Sequence, residues 1–410
     1  MYLLFDCNNF FASCEQVFRP DWRHRPLVVL SNNDGCVVSR SQEAKQMGIA
    51  MGEPYFKCRE RLEQAGGIAC SANFALYSNL SDRIMQILEE SLPELHQYSI
   101  DEAFAIVSQR SHCDWLDECR KIRHKIRRWT GITVSVGLAP TKTLAKLANE
   151  LAKKKPEYKG VLHLPADCDS VLRRTPIEDI WGVGRRLAPR MHGLGIRTAA
   201  GLAAASLDWL RQRFGVHGER LALELRGVSC LEDEPVNTRS QVMVSRSLKE
   251  GIEDETRLRE ALCGFVEKAA RILRSEALMA SQVYVVLRTS RYAENSQLYA
   301  AQQGCLLPHP TDDTRLFVKA ATELLKALYR PGYPYRKIGV LLADLQETDS
   351  VQPTFDHPQV APNPLMQVLD KLQREGHQVH FANKATEPLW RCSQASPCYT
   401  TRWADIPEAW

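Results

Sequence analysis

The 410-residue chain has no apolar run of about 18 residues, the length a membrane-crossing helix needs. Its first residues, MYLLFDCNNFF, lack a basic lead and are interrupted by Asp6, so they do not read as a secretory signal. Its 13 cysteines include no Cys-x-x-Cys pair, and no histidine cluster stands near them at zinc-ligand spacing. Cys70, Cys263 and Cys305 lie in apolar surroundings, as reduced core thiols do. A disulfide framework is therefore not expected, and the expected setting is a reducing cytoplasm without a membrane. Internal repeats and low-complexity tracts are also absent.

Charge is nearly balanced overall, with 53 basic against 49 acidic residues and a net +4. It is not evenly spread. Residues 120 to 160 hold 12 Lys/Arg and 2 Asp/Glu, a local +10. Such a stretch can grip a polyanion or can form two solvated helix faces. The length exceeds the roughly 250–300 residues at which one core stops growing, so two or more domains are expected.

Residues 2–6 (YLLFD) read as a short buried strand ending in a carboxylate, followed by a helix capped by Asn8 or Asn9. Residues 27–40 read as two strands joined by a turn at Asn33-Asp34-Gly35, with a helix after them that closes at Gly48. A helix over 77–92, a strand around SIDEAF, a basic helix over 114–129, the strand ITVSVGLA and the helix TKTLAKLANELAKK follow. This alternation predicts an α/β layer with helices packed on a sheet. From 167 the pattern becomes helical. From 241 it runs strand (241–248), helix (256–276), strand (282–289), strand (297–306), helix (312–329), strand (336–344), which is the βαββαβ plan. The last segment, from about 347, has seven prolines and reads as extended, with one helix near 363–375.

Asp6 ends one strand, and Asp101 with Glu102 sits among the β-favouring residues of another. Hard oxygen ligands of this kind suit Mg²⁺, and two such ions ~3.5–4 Å apart can activate a hydroxyl and stabilise a leaving pyrophosphate. A lone Asp-Glu pair can also just cap a turn. The flanking apolar residues argue against a solvated turn, since burying unpaired charge is costly. Phe10 reads as a core aromatic. Phe11 could be core, or could pack under a sugar and leave no space for a 2′-hydroxyl.

DCNNFFASCE, SNNDGCVVSRSQEAKQMGI, YSIDEAF and VSVGLAPTKTLAKLAN together resemble the successive blocks of Y-family DNA polymerases. SNNDGC, and FRPD before it, resemble the UmuC branch. IWGVGRR and VSRS follow in order, so the resemblance runs from residue 1 to about 345, and the terminal YTTRW is also similar to that branch.

The resemblance implies a multidomain α/β and α+β right-hand polymerase. Its palm would span 1–10 and 77–166, small fingers 11–76, and a helix-hairpin-helix thumb 167–230. A linker at 231–240, a βαββαβ little finger at 241–346 and a tail at 347–410 would follow. It implies low-fidelity, lesion-bypassing DNA synthesis in DNA repair and SOS mutagenesis, with two Mg²⁺ ions.

Asp6, Asp101 and Glu102 would be the catalytic, metal-binding carboxylates, joined by the backbone carbonyl of Cys7. Phe11 would be the steric gate. Ser39, Gln42, Lys45 and Lys153 would bind nucleotide, under a roof of Cys36 and Val38. Gln42 stands where Tyr is common and Lys45 where Arg is common; Lys offers a point charge rather than a fork. Lys142 and Lys146, four apart on one helix face, would contact DNA, or be solvated. Gly182, Gly184 and Arg185 of the hairpin, and Ser245 and Arg246 of VSRS, would hold DNA phosphates. Implied partners are primed DNA, dNTP, a UmuD′-like dimer, RecA and the sliding clamp. Gln352-Pro353-Thr354-Phe355 is a candidate clamp motif or simply a Pro-rich linker. A palm-type nucleotidyl cyclase would share the carboxylates but would not need the helix-hairpin-helix or the βαββαβ unit.

Overall fold

The computed structural model describes residues 1–108, 114–231, 239–290, 298–352, 363–377, 379–381 and 392–407. The chain forms two units, one of Met1–Asp233 with Gln394–Trp410 and one of Glu234–Ser393. The segment expected as a single tail is thus divided between them. Most of the expected linker, residues 232–238, lies outside the described residues.

The first unit begins with β1 (Tyr2–Cys7), α1 (Phe10–Phe18), β2 (Leu27–Leu30), β3 (Val37–Arg40), α2 (Gln42–Gln46), α3 (Tyr55–Gln64) and β4 (Ile68–Ser71). It continues with α4 (Phe74–Ser91), β5 (Leu95–Gln97), β6 (Glu102–Ile106), α5 (Trp115–Thr130), β7 (Val134–Ala139), α6 (Lys142–Lys154) and β8 (Val161–His163). The helices α7 (Asp169–Arg174), α8 (Leu187–Gly193), α9 (Ala199–Ala204) and α10 (Leu207–Leu225) complete it.

β5-β6-β1-β7-β8 form one sheet, and β3-β2-β4 a smaller one. β1 is central in the larger sheet, antiparallel to both neighbours. Successive side chains of a strand point to opposite faces. Leu3, Phe5 and Cys7 accordingly join the core beneath α4 and α5, while Leu4 joins the core beneath α6 and the later helices. By the same parity Asp6 falls on the α6 face.

α6 lies so close to β7 that a Cβ at Gly137 would stand 2.1 Å from the carbonyl oxygen of Ala145 and 2.5 Å from the amide nitrogen of Asn149. Asn149 ties the helix to the sheet by donating to the carbonyls of Leu4 and Ser135. We expect Gly137→Ala to destabilise the unit by about 3 kcal/mol, because backbone rather than a movable side chain must yield. A urea midpoint unchanged from the wild type would contradict this packing.

The second unit holds β9 (Gln241–Ile252), α11 (Glu255–Ser275), β10 (Leu278–Thr289), β11 (Ala300–Thr311), α12 (Thr314–Leu328) and β12 (Tyr335–Glu347). This is the expected βαββαβ order, folded as a sheet β11-β10-β12-β9 whose neighbours are all antiparallel. Two helices cover one face through the apolar stripes of α11 and α12. A further helix, α13 (Pro364–Arg374), belongs to this unit and is tied to α11 by the ion pair Arg274–Asp370 at 2.6 Å.

Candidate active site

Asp6 of β1 is paired directly with Glu102 of β6. Like charges opposite one another destabilise a sheet, so such a pair marks a functional place rather than a structural one. Asp101 sits at the bend just before β6, where its carbonyl accepts from the Cys7 amide at 2.9 Å. Its carboxylate accepts from the Ser99 hydroxyl at 2.6 Å. Asp6 and the Asp101–Glu102 couple, far apart in the chain, are therefore brought together by strand register.

The lysines of α6 face the same place. Lys153 reaches Asp6 at 2.5 Å, and Lys146 reaches Glu102 at 2.9 Å. Burial pushes the Asp6 carboxyl up to about 7, against the pull of Lys153 and with the help of neighbouring Glu102. Burial also works against the charge of Glu102. Its hydrogen bond with Asp6 and the ammonium groups of Lys146 and Lys153 outweigh that and hold it below the ordinary range. Among the described residues no three His, Cys, Asp or Glu side chains already form a cation cage.

A cavity of about 220 Å³ opens over Asp6 and Asp101, lined also by Cys7, Phe11, Ser39, Lys45 and Lys153, while Glu102 lies beside Asp6 without lining it. Phe11 forms a wall, its ring stacked on Tyr77 at 4.4 Å and 12° and set edge-on to Phe74. Ser39 is buried, its hydroxyl accepting from the Ala12 amide. Val38 of the expected roof lines the cavity, while Cys36 and Gln42 do not.

Arg40 was not anticipated from sequence, yet it lines the cavity too. Its guanidinium donates to the Ile49 carbonyl at 2.6 Å, and its buried Nε has no hydrogen-bond partner among the described residues. Burial, then the charges of Arg40 and Lys153, lowers the Lys45 ammonium below its ordinary value. Three cations thus converge opposite the carboxylates. The signal available in sequence was the β3 alternation, which puts Arg40 on the same side as Val38.

The remaining expected residues lie elsewhere. Lys142 is buried over the rings of Tyr2 and Phe104, and Lys146 lies over Tyr98 and Trp181 as well as beside Glu102. Neither is on a solvated face. Gly182 has a φ of 92°, and its carbonyl accepts from His217 Nε2 at 3.0 Å. Gly184 and Arg185 follow it at the surface. Ser245 and Arg246 are neighbours in β9, paired with Gly339 and Ile338. Their side chains therefore project to opposite faces, with Arg246 on the side of the buried Ile338, so they cannot meet one phosphate run together.

Comparison with known proteins shows the family. Residues 5–150 match the profile of the impB/mucB/samB family, 165–196 the helix-hairpin-helix motif of the IMS family, and 239–355 the C-terminal domain of the impB/mucB/samB family. Residues 363–409 match a domain of unknown function, DUF4113. Protein ImpB of Salmonella typhimurium is 42% identical, the alignment covering 100% of this chain and 99% of that one. Protein UmuC of Salmonella typhimurium is 41% identical over 99% of both chains. DNA polymerase IV of Moorella thermoacetica is 30% identical over 84% of this chain and 85% of that one. Among solved structures, the Y-family DNA polymerase chimera Dbh-Dpo4(243-245)-Dbh has a TM-score of 0.67 at 26% identity, covering 84% of this chain and 99% of its own. The insertion ternary complex of Dbh DNA polymerase has a TM-score of 0.53 at 25% identity, covering 84% of this chain and 98% of its own. With a register-paired carboxylate site and full-length relatives of this kind, the chain belongs to the impB/mucB/samB family, the UmuC-like group of the lesion-bypassing Y-family DNA polymerases.

Proposed function

We propose that Asp6, Asp101 and Glu102, with the backbone carbonyl of Cys7, hold two magnesium ions at which a dNTP is joined to a primer 3′-end. The observation that carries this reading is the direct pairing of Asp6 with Glu102, together with Asp6 and Asp101 lining one cavity whose other wall is cationic. The donors fit the ion. All are hard oxygens, and they stand where burial makes uncompensated negative charge costly. Bound there, the ions supply a more acidic primer hydroxyl and charge compensation for the departing pyrophosphate.

The chain's own groups do the positioning. Lys45, Lys153 and Arg40 bind the triphosphate, with Ser39 beside them. As the triphosphate engages Lys153, Asp6 loses the ammonium it now holds and its carboxylate becomes available as a ligand. The Phe11 ring lies under the sugar and excludes a 2′-hydroxyl. Holding the reactants in line and matching developing charge supply most of the acceleration.

Gly182, Gly184 and Arg185 bind duplex phosphates through the hairpin, and Ser245 binds the template from the open face of the βαββαβ sheet. Lys142 and Lys146 support the site from within α6, with DNA contact requiring Lys146 to leave Glu102. The palm corresponds to 1–10 and 77–166, the fingers to 11–76, the thumb to 167–230 and the little finger to 241–346. A UmuD′-like dimer, RecA and the sliding clamp are the proposed partners in a cytoplasmic setting. Of the clamp motif, residues 353–355 lie outside the described residues. Among the described residues no helix is long and apolar enough to cross a membrane.

Two assays test this. Primer extension past an abasic site, with and without RecA and a UmuD′-type dimer, should release pyrophosphate and lengthen the primer. Cyclic-nucleotide formation without extension would refute it. Lys153→Ala should raise the KM for dNTP roughly tenfold or more while DNA affinity holds, since a charge-assisted phosphate contact is lost. A fall in kcat at unchanged KM would assign Lys153 to the carboxylates instead.

A further inference from the structure

The wall behind Phe11 continues into the far end of the chain. Phe11, Glu15 and Phe18 of α1 are spaced i, i+4 and i+7, so they form one stripe along the helix. Tyr77 of α4 meets two of them. Its ring stacks on Phe11, and its hydroxyl donates to Glu15 Oε1 at 2.7 Å. Glu15 is fully buried, and burial raises its pKa against the pull of its two hydroxyl partners.

The second of those partners is Ser396, whose hydroxyl donates to the same Oε1 at 3.1 Å across 381 positions of sequence. The segment carrying it is tied down on both sides. The Ser71 amide donates to the Gln394 carbonyl at 2.8 Å, Asn73 donates to Ser396 and Pro397, and Tyr399 is buried with its ring stacked on Phe18 at 4.8 Å. A carboxylate in so dry a place is costly, and among the described residues Glu15 Oε2 is buried without a hydrogen-bond partner, so the group depends on the two donors to Oε1. Its two donors are the residue that backs Phe11 and the C-terminal strap.

We infer that Glu15 and Tyr77 are positioning residues for Phe11, and that the strap Gln394–Tyr399 locks them, so that the C-terminal segment sets how well the site separates deoxyribonucleotides from ribonucleotides. This rests on Phe11 acting as the gate proposed above. Without the strap, Glu15, which accepts from the Tyr77 hydroxyl, loses one of the two contacts that fix it. The Tyr77 ring can then shift, and the Phe11 ring with it. The residues that hold dNTP and cations are untouched.

The test is single-nucleotide insertion of dATP and ATP opposite template thymine by the full-length chain, in the assembly that supports wild-type synthesis. The readout is the ratio of the two kcat/KM values. Ser396→Ala should lower the ratio about 3-fold, and Tyr77→Phe, which keeps the ring but removes the donor, roughly 3- to 10-fold. In both, dATP insertion should stay within about twofold of wild type. Glu15→Gln, which keeps an acceptor for both hydroxyls, should retain the ratio where Glu15→Ala does not. Added to Phe11→Ala, neither Ser396→Ala nor Tyr77→Phe should lower the ratio further.

Ser396→Ala is a small change on a partly exposed segment and carries the test if Tyr77→Phe does not fold. Wild-type ratios in Ser396→Ala and Tyr77→Phe, beside a collapsed ratio in Phe11→Ala, would overturn the inference and leave the gate standing. An unchanged ratio in Phe11→Ala would overturn the gate itself, and the inference with it.

Discussion

Asp101→Ala is expected to reduce extension of primed DNA about a thousandfold or more, the scale of several kcal/mol of lost charge stabilisation. Its affinity for primed DNA should stay close to that of the wild type. The separation is possible because of where Asp101 sits. The contact that holds this bend against β1 is made by its backbone carbonyl to the Cys7 amide, and alanine keeps it. Among the described residues the carboxylate itself bonds only to the nearby Ser99, through its hydroxyl. The substitution therefore takes away a proposed ligand and leaves the sheet, the Asp6–Glu102 pairing and the lysines of α6 in place. Extension at wild-type rate would show that Asp101 has no part in the chemistry and that the metal assignment is wrong.

The second large effect concerns the sugar. Phe11→Ala is expected to raise incorporation of ribonucleotides about a hundredfold relative to deoxyribonucleotides, the discrimination a close-fitting apolar wall exerts against one added hydroxyl. Phe11 is fit for this because its ring is stacked on Tyr77, with Phe74 set edge-on to both rings, so the three aromatics back one another behind the cavity. Alanine leaves that volume open on the cavity side. A dNTP-to-rNTP ratio equal to the wild type would move the gate to another part of the wall.

Much of this architecture was legible in the sequence because it is periodic. β1 is short, apolar and ends in Asp6, and its alternation alone puts Asp6 and Leu4 on one face. The βαββαβ unit appeared in its observed order, since α11 and α12 carry unbroken apolar stripes at helical spacing. Ends were less legible. α4 starts at Phe74 rather than 77 because the Asn73 side chain caps it by accepting from the Leu76 amide. The cap was readable as Asn before an apolar run. The Asn9 expectation was half right: it occupies the cap position, but in a left-handed conformation with no side-chain cap bond.

Side-chain pairing was the least legible. Lys146 was expected to face DNA or water, and it pairs with Glu102 instead. Nothing local to TKTLAKLAN reveals that, because the partner is 44 residues away in another strand. The opposite projection of Ser245 and Arg246 was available from strand alternation alone. The strap on α1 was not, because its contacts join the two ends of the chain and leave no pattern in either segment.

The proposed chemistry requires acidic residues from β1 and the edge of β6 to share divalent cations with an incoming nucleotide. The direct measurement is the number of Mn²⁺ ions bound, read by electron paramagnetic resonance with primed DNA and a non-hydrolysable dNTP analogue present. Two ions per wild-type chain, and fewer than two in both Asp6→Ala and Asp101→Ala, is the predicted result. Equal ion counts in all three proteins would contradict it.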